Sequence, residues 1–471
     1  MSRNGTTGKN NNIRLLLYLL TAQAVKGGVL MKAKYFAIIV LAVFAMALVN
    51  TGSSSAGDKI KTVKIGWVVD YTGPISMYGQ PITHAAQWAI EYINEVLYPE
   101  GMEIGGEKYH FKLDVQDYGG KIEEAPTAGQ RALDENPLAL CMDLGVFLEP
   151  LYGKLAEMKV PMMITHSPFM IEKLQDPWIF RYRNTPTQVM PATAWYIVNK
   201  FDLKRPSVYS ETGAMGTPGG QQWVDSLVKA GIPREQIDWQ QYKYPLAESQ
   251  FLPYLTKSMQ WGADVIVQGA TGEGSGTPQA CTTYMQAREL GYTGYFCSYT
   301  GLTDVEARKI LGPQYASFLT KVYQGEGVDA YTNPDLKIRQ WGKDYYKKYG
   351  EYPIDLVPWG WDEIMVLVSA AYHAGTVTDG DKYRQALAEL PFDFLLKPYL
   401  KTPMSPQRVN KLFDAKGQAL MEVMVCGWTD EGIKVPKAFM FVDENTMEIK
   451  SVTYPEQALL DSLIQEWRDR Q

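Results

Sequence analysis

The chain has 471 residues, 46% of them apolar, with a net charge of −6 and a pI near 5.5. A single core rarely grows past roughly 250–300 residues, so two lobes are expected. The acidic balance lacks the basic footprint of a nucleic-acid-binding domain and mainly supports solubility.

The segment from Met31 has three parts: Lys32 and Lys34, an apolar run from Tyr35 to Val49, and small polar residues ending at Ser54-Ser55-Ala56. This is the build of a secretory signal, with cleavage expected near Ala56. The apolar run falls short of the roughly 20 residues needed to span a bilayer, which disfavours a membrane anchor. Met31 is then a candidate start, and residues 1–30 an upstream extension. No cysteine precedes Cys141 to carry a lipid near the cleavage site.

Beyond the signal, strand-like and helix-like patterns alternate. The apolar run ending at Val69 meets a polar turn, Asp70 to Ser76. A helical stripe follows at Ile82, Ala85, Ala86, Ala89, Ile93, Val96 and Leu97, with Pro81 in its first turn. Next come strand Phe111–Val115, helix Ala128–Leu133, strand Leu138–Leu144, helix Leu148–Met158 and strand Pro161–Thr165.

After Trp178-Ile179-Phe180 the pattern restarts with helix Ala192–Phe201, strand Ser207–Tyr209, helix Gln221–Lys229 and a short strand at Tyr242. Helix Phe251–Trp261, strand Asp264–Gln268, helix Pro278–Leu290 and strand Tyr295–Ser298 complete this half. Helices Leu336–Lys348 and Trp361–Ala374, a less regular stretch Leu390–Arg408, strand Met421–Trp428 and a closing amphipathic helix Gln457–Trp467 end the chain. Such repetition argues for parallel sheets covered by helices on both faces.

Motifs for chemistry are missing. There is no G-x-S-x-G elbow, no G-x-x-x-x-G-K loop and no H-E-x-x-H, and four histidines lie scattered. No enzyme activity, cofactor or metal is expected. Instead, loops rich in small, hydroxyl and aromatic residues follow successive strands: 71–79, 145–147, 165–167, 209–220, 269–276 and 298–301. Strand carboxyl ends are the ligand side of an open parallel sheet, and helix N-termini there suit a small carboxylate. Of the four cysteines, Cys281 is expected early in a helix and Cys297 in the strand after it. A disulfide between them and two buried thiols are both open.

These residues resemble the periplasmic solute-binding proteins of branched-chain amino acid (leucine/isoleucine/valine) ABC transporters, over roughly Lys61 to Trp428. The opening stretch IGWVVDYTGPISMYGQ carries the likeness best, with VPMMITHS, WIFR, ADVIVQG and YFCSYTG in support. The resemblance implies a type I fold, α/β, of two Rossmann-like lobes with parallel sheets joined by three crossovers. It implies 1–56 as extension and signal (signal 31–56), 61–184 as lobe I and 185–330 as lobe II. Residues 331–395 return to lobe I, 396–435 hold a crossover and C-terminal strands, and 436–471 form an extension with a helix.

Carried over by position, the resemblance puts Tyr78 against the ligand and makes Gly145, Val146, Phe147, Thr165, His166 and Ser167 the carboxylate cradle. Met215, Ala270, Thr271, Tyr299 and Thr300 close from lobe II, with Trp359, just ahead of a helix at Trp361-Asp362, as a further wall. It implies a periplasmic monomer that hands a small organic ligand to an inner-membrane permease. Two positions depart from the amino acid binders: Thr300 replaces the usual acidic partner of the ligand ammonium, and Ala270 replaces an aromatic. Glu273, Glu211 and Glu149 stand nearby without aligning. An aromatic or aliphatic carboxylate, an amide or a urea is therefore the alternative ligand, and a sensor without transport the alternative role. His166 either bonds a carboxylate or caps the following helix.

Overall fold

The structure, a computed structural model, describes residues 59–73, 76–166, 177–212, 216–239, 242–245, 248–268, 276–299, 304–326, 330, 333–353, 357–391, 411–443 and 445–469. The signal segment, Ser167, Met215, Ala270, Thr271, Thr300 and most of 390–408 lie outside them.

Strand β1 (Lys61–Val69) leads to helix α1 (Ser76–Glu91), then to the hairpin β2 (Met102–Ile104) and β3 (Glu107–Asp117). Gly105 and Gly106, at φ +62° and +84°, make the two-residue turn between those strands. Helix α2 (Ala125–Asp134) and β4 (Leu140–Leu144) follow. A 3₁₀ stretch over Gly145–Leu151 leads to α3 (Tyr152–Met158), β5 (Met162–His166) and β6 (Ile179–Arg181). The sheet order is β2-β3-β1-β4-β5-β6, parallel except for β2.

The second sheet is built from α4 (Pro186–Phe201), β7 (Pro206–Glu211), α5 (Gly216–Lys229), β8 (Lys243–Tyr244), α6 (Leu252–Trp261) and β9 (Val265–Gln268). It continues with α7 (Gly276–Glu289), β10 (Tyr295–Ser298), α8 (Asp304–Leu311), α9 (Tyr315–Leu319) and β11 (Val322–Glu326). The chain returns to the first lobe as α10 (Leu336–Tyr349), α11 (Val357–Ala374) and α12 (Gly380–Ala388). It then completes the second sheet with β12 (Val423–Trp428), β13 (Lys434–Asp443) and β14 (Glu448–Thr453), and ends in α13 (Gln457–Arg468). The second order is β14-β13-β12-β11-β10-β9-β7-β8, with β12 to β14 antiparallel at one edge.

Both faces of each sheet are buried, which is why the strands read as near-continuous apolar runs. In β1, Ile65, Trp67 and Val69 pack with α1, α10 and α11, while Val68 packs on the other face with α2. Helices α1 and α11 approach so closely that a Cβ on Gly360 would lie 2.3 Å from the Ile82 carbonyl oxygen. The chain passes between lobes after β6, after β11 and before β12. The first and third passages run side by side: Arg181 N donates to Gly417 O (2.7 Å) and Ala419 N to Arg181 O (2.8 Å). Gln418 Nε2 donates to Arg183 O (2.7 Å), and Asn184 Nδ2 to the carbonyls of Met421 and Glu422.

Two details differ from the sequence expectation, and one alternative it left open is decided. Helix α1 starts five residues before Pro81, so the proline lies inside it. The residue whose carbonyl thereby loses its helical donor, Met77, is at the surface, where water can serve it. The chain widens into a π turn over Tyr92–Leu97, with Tyr98 N bonded to Ile93 O, and this carries Val96 out of the stripe to 62% exposure while Leu97 still packs on the core. Cys281 and Cys297 are buried thiols with no bridge between them. Phe296 shares the Cys281 side of the sheet, so strand alternation turns Cys297 to the opposite face.

Candidate functional site

Strands β1, β4 and β5 are neighbours, and the turns after β1 and β4 open helical segments. At the first end, Asp70 is fully buried and its Oδ1 accepts from Gly73 N at 2.6 Å. Asp117, at the end of β3, accepts from Tyr71 N (2.9 Å), Gly119 N (2.8 Å) and Thr72 Oγ1 (2.6 Å). Burial alone would raise the Asp117 carboxyl, but these bonds outweigh it and hold its pKa below the usual range. The polar residues of this turn are thus spent on fixing its shape. Tyr78 stands half-buried in the first turn of α1.

Gly145, Val146 and Phe147 open the 3₁₀ stretch after β4, and His166 ends β5 in register with Leu144. Tyr78, Gly145–Phe147 and Thr165–His166 therefore come from three adjacent strand ends. Thr165 is buried, and its hydroxyl donates to Glu363 Oε1 of α11 at 2.7 Å. One residue away on α11, Asp362 accepts from the Tyr182 hydroxyl at 3.1 Å. Burial pushes the Asp362 carboxyl well up, more than this bond lowers it. Its Oδ1 has no partner among the described residues.

Trp359 lies within α11 and not ahead of it. It is 1% exposed and packs edge-to-face on Tyr182 with ring centres 5.7 Å apart, as part of the first-lobe core. Tyr299, just after β10, is likewise buried in the second-lobe core. The structure brings neither forward as an open wall.

The second lobe carries a polar row of which the sequence reading named only Ser298, in the loop 298–301, and Glu211. Gln268, Ser298 and Gln324 occupy matching positions on β9, β10 and β11, all buried, with Glu211 and Tyr244 at the ends of β7 and β8. Gln268 Nε2 donates to the Tyr244 hydroxyl (2.9 Å), and Ser298 Oγ to Gln324 Oε1 (3.4 Å). Burial, then the Glu211 charge, pushes the Tyr244 hydroxyl up. The signal was available: VIVQ, YFCS and VYQ each end in a polar residue after an apolar run. Likewise, Asp362-Glu363 is an acidic pair inside an apolar helix.

Among the described residues no group of His, Cys, Asp and Glu is arranged to hold a metal ion, and no helix is long and apolar enough to cross a membrane. The buried polar groups are spread over two lobes, on strand ends and on α11. That arrangement suits holding a polar small molecule more than activating a nucleophile.

The family described as "Periplasmic binding protein" matches residues 62–430. Among solved structures, the leucine-binding protein LivK from Thermotoga maritima is 21% identical, with 83% of this chain and 99% of that one covered at a TM-score of 0.63. The isoleucine complex of LivJ from Streptococcus pneumoniae is 16% identical, covering 84% and 99%, at 0.60. A solute-binding protein of an ABC transporter from Rhodopseudomonas palustris, in complex with 3,4-dihydroxybenzoic acid, is 16% identical, covering 81% and 97%, at 0.64. At these identities the likeness establishes the fold. No curated protein matches.

Proposed function

The chain belongs to the periplasmic binding protein family, and on that premise we propose that it is the periplasmic substrate-binding protein of an ABC importer. It captures a small amino acid or carboxylate of the branched-chain amino acid type between its lobes and delivers it to a membrane permease. The observation that carries this reading is the family match over 62–430 on a chain whose two mostly parallel sheets are joined by paired passages. Backbone N–H groups at the start of the 3₁₀ stretch after β4, beside the end of β5, supply the donors a carboxylate needs. Closure about the passages stabilises the bound state through contacts unavailable when the lobes are apart.

A second reading, an aromatic or aliphatic carboxylate as ligand, draws support from Ala270 and Thr300. A buried ammonium needs a counter-charge, and an alanine leaves room for a ring. A thermal-shift titration separates the two. A true ligand at 100 times its Kd adds about 2.7 kcal/mol to stability. Leucine, isoleucine or valine raising the Tm supports the first reading. Benzoates or short aliphatic acids raising it, with the amino acids silent, replace it with the second.

A further inference from the structure

The last helix, α13, lies beyond the stretch that the family matches. It follows β14, so covalently it is part of the second lobe. Three consecutive residues in its final turn nevertheless hold both lobes. Arg468 pairs with Glu431, in the turn between β12 and β13, through Nη2 at 2.6 Å and Nε at 3.2 Å. Trp467 lies under the Arg308 guanidinium of α8, 4.7 Å from the ring centre, and Arg308 also donates to Gly432 O at 2.8 Å. These contacts belong to the second lobe.

Glu466 reaches the other way. Its Oε1 accepts from Arg339 Nε at 3.1 Å and its Oε2 pairs with Lys343 Nζ at 3.2 Å. Both cations are on α10, whose Ile338, Trp341 and Tyr345 belong to the first-lobe core. Arg339 is 2% exposed, and its Nη1 donates to the carbonyls of Asn333 (2.7 Å) and Pro334 (3.2 Å), which end the second passage between lobes. One guanidinium thus ties the passage to the terminal helix. Burial alone would raise the Glu466 carboxyl. The Arg339 charge and the Lys343 bond outweigh it, so the group is held as a carboxylate at neutral pH.

We propose that α13 is a brace across the hinge, with the Glu466 clasp on Arg339 and Lys343 setting the interlobe angles the free protein samples. The partners sit on different lobes, so rotation about the passages must stretch or break contacts near 3 Å. A contact made in one lobe arrangement and lost in another biases the equilibrium between them by its own free energy.

The test needs no ligand and is independent of the function proposed above. The native cysteines are buried, so spin labels attach selectively to the exposed positions of a Glu123→Cys/Lys257→Cys variant, one per lobe. Double electron–electron resonance then reads the interlobe distance. Glu466→Gln, which keeps the shape and loses the charge, is expected to raise the fraction of molecules outside the main distance peak by about fivefold or more. Lys343→Ala should act in the same direction and less, because Lys343 is half exposed. Asp461→Asn, on the exposed side of the same helix, should leave the distribution unchanged. Deleting 457–471 should act at least as strongly as Glu466→Gln. If the deletion does not fold, Glu466→Gln still decides. A wild-type distribution in folded Glu466→Gln protein overturns the proposal.

Discussion

In the first lobe the polar groups at the strand ends bond to a helix, Thr165 to Glu363 and Tyr182 to Asp362. In the second they bond along the sheet, through Gln268, Tyr244, Ser298 and Gln324. The same βα architecture therefore buries polarity in two ways. Carboxyls on α11 make first-lobe packing depend on charge and protonation. The amides and hydroxyls of the second lobe form a largely neutral row, with Glu211 as its acid. A buried carboxyl that loses a short donor is left with more unmet hydrogen bonding than an amide that loses a long contact.

The largest expected effect tests whether the first-lobe aromatics are core. Trp359→Ala should cost about 3–5 kcal/mol in urea unfolding, the cost of emptying a buried tryptophan site. A Trp359 that served only as an open cleft wall would leave stability nearly unchanged and alter ligand binding alone.

Next comes the pair of hydroxyls. Thr165→Val should cost about 1.5–3 kcal/mol, because Glu363 is left without that donor, whereas Ser298→Ala, which loses a 3.4 Å contact to an amide, should cost about 1 kcal/mol or less. Equal costs from parallel unfolding curves would break the contrast between lobes.

The third effect is smaller and appears as a slope. The folded Asp362 carboxyl has a pKa well above its usual 3.8, so the folded state keeps a proton that the unfolded state gives up. That group therefore lowers stability as pH rises above 3.8, by about 1.4 kcal/mol per pH unit until its folded pKa is reached. Asp362→Asn, which cannot ionise, should remove this contribution and gain on the wild type as pH rises above the usual carboxylate range. Urea midpoints that fall equally in both proteins over that rise would place the proton elsewhere.

Much of the architecture was legible because strands buried on both faces, punctuated by glycine, proline and capping residues, alternate with helical stripes. The β13–β14 hairpin was not, since Pro436 sits within β13. It is tolerated there because it lies opposite Cys426, where the ladder shifts register at a bulge. The strand pattern also gave the turns after β1 and β4 that carry Tyr78 and Gly145–Phe147, but local pattern does not separate a cleft aromatic from a core one, and Trp359 and Tyr299 are core. The bond between Thr165 and Glu363 joins residues 198 apart, and nothing local in the sequence announces it.

The central claim is that the lobes hold one small organic molecule. Native mass spectrometry of protein purified from its own host reads this directly. One small-molecule adduct per chain, released on unfolding and identified as an amino acid or a carboxylate, is the expected result. A chain that carries no adduct, and whose Tm no extract of host metabolites raises, would contradict it.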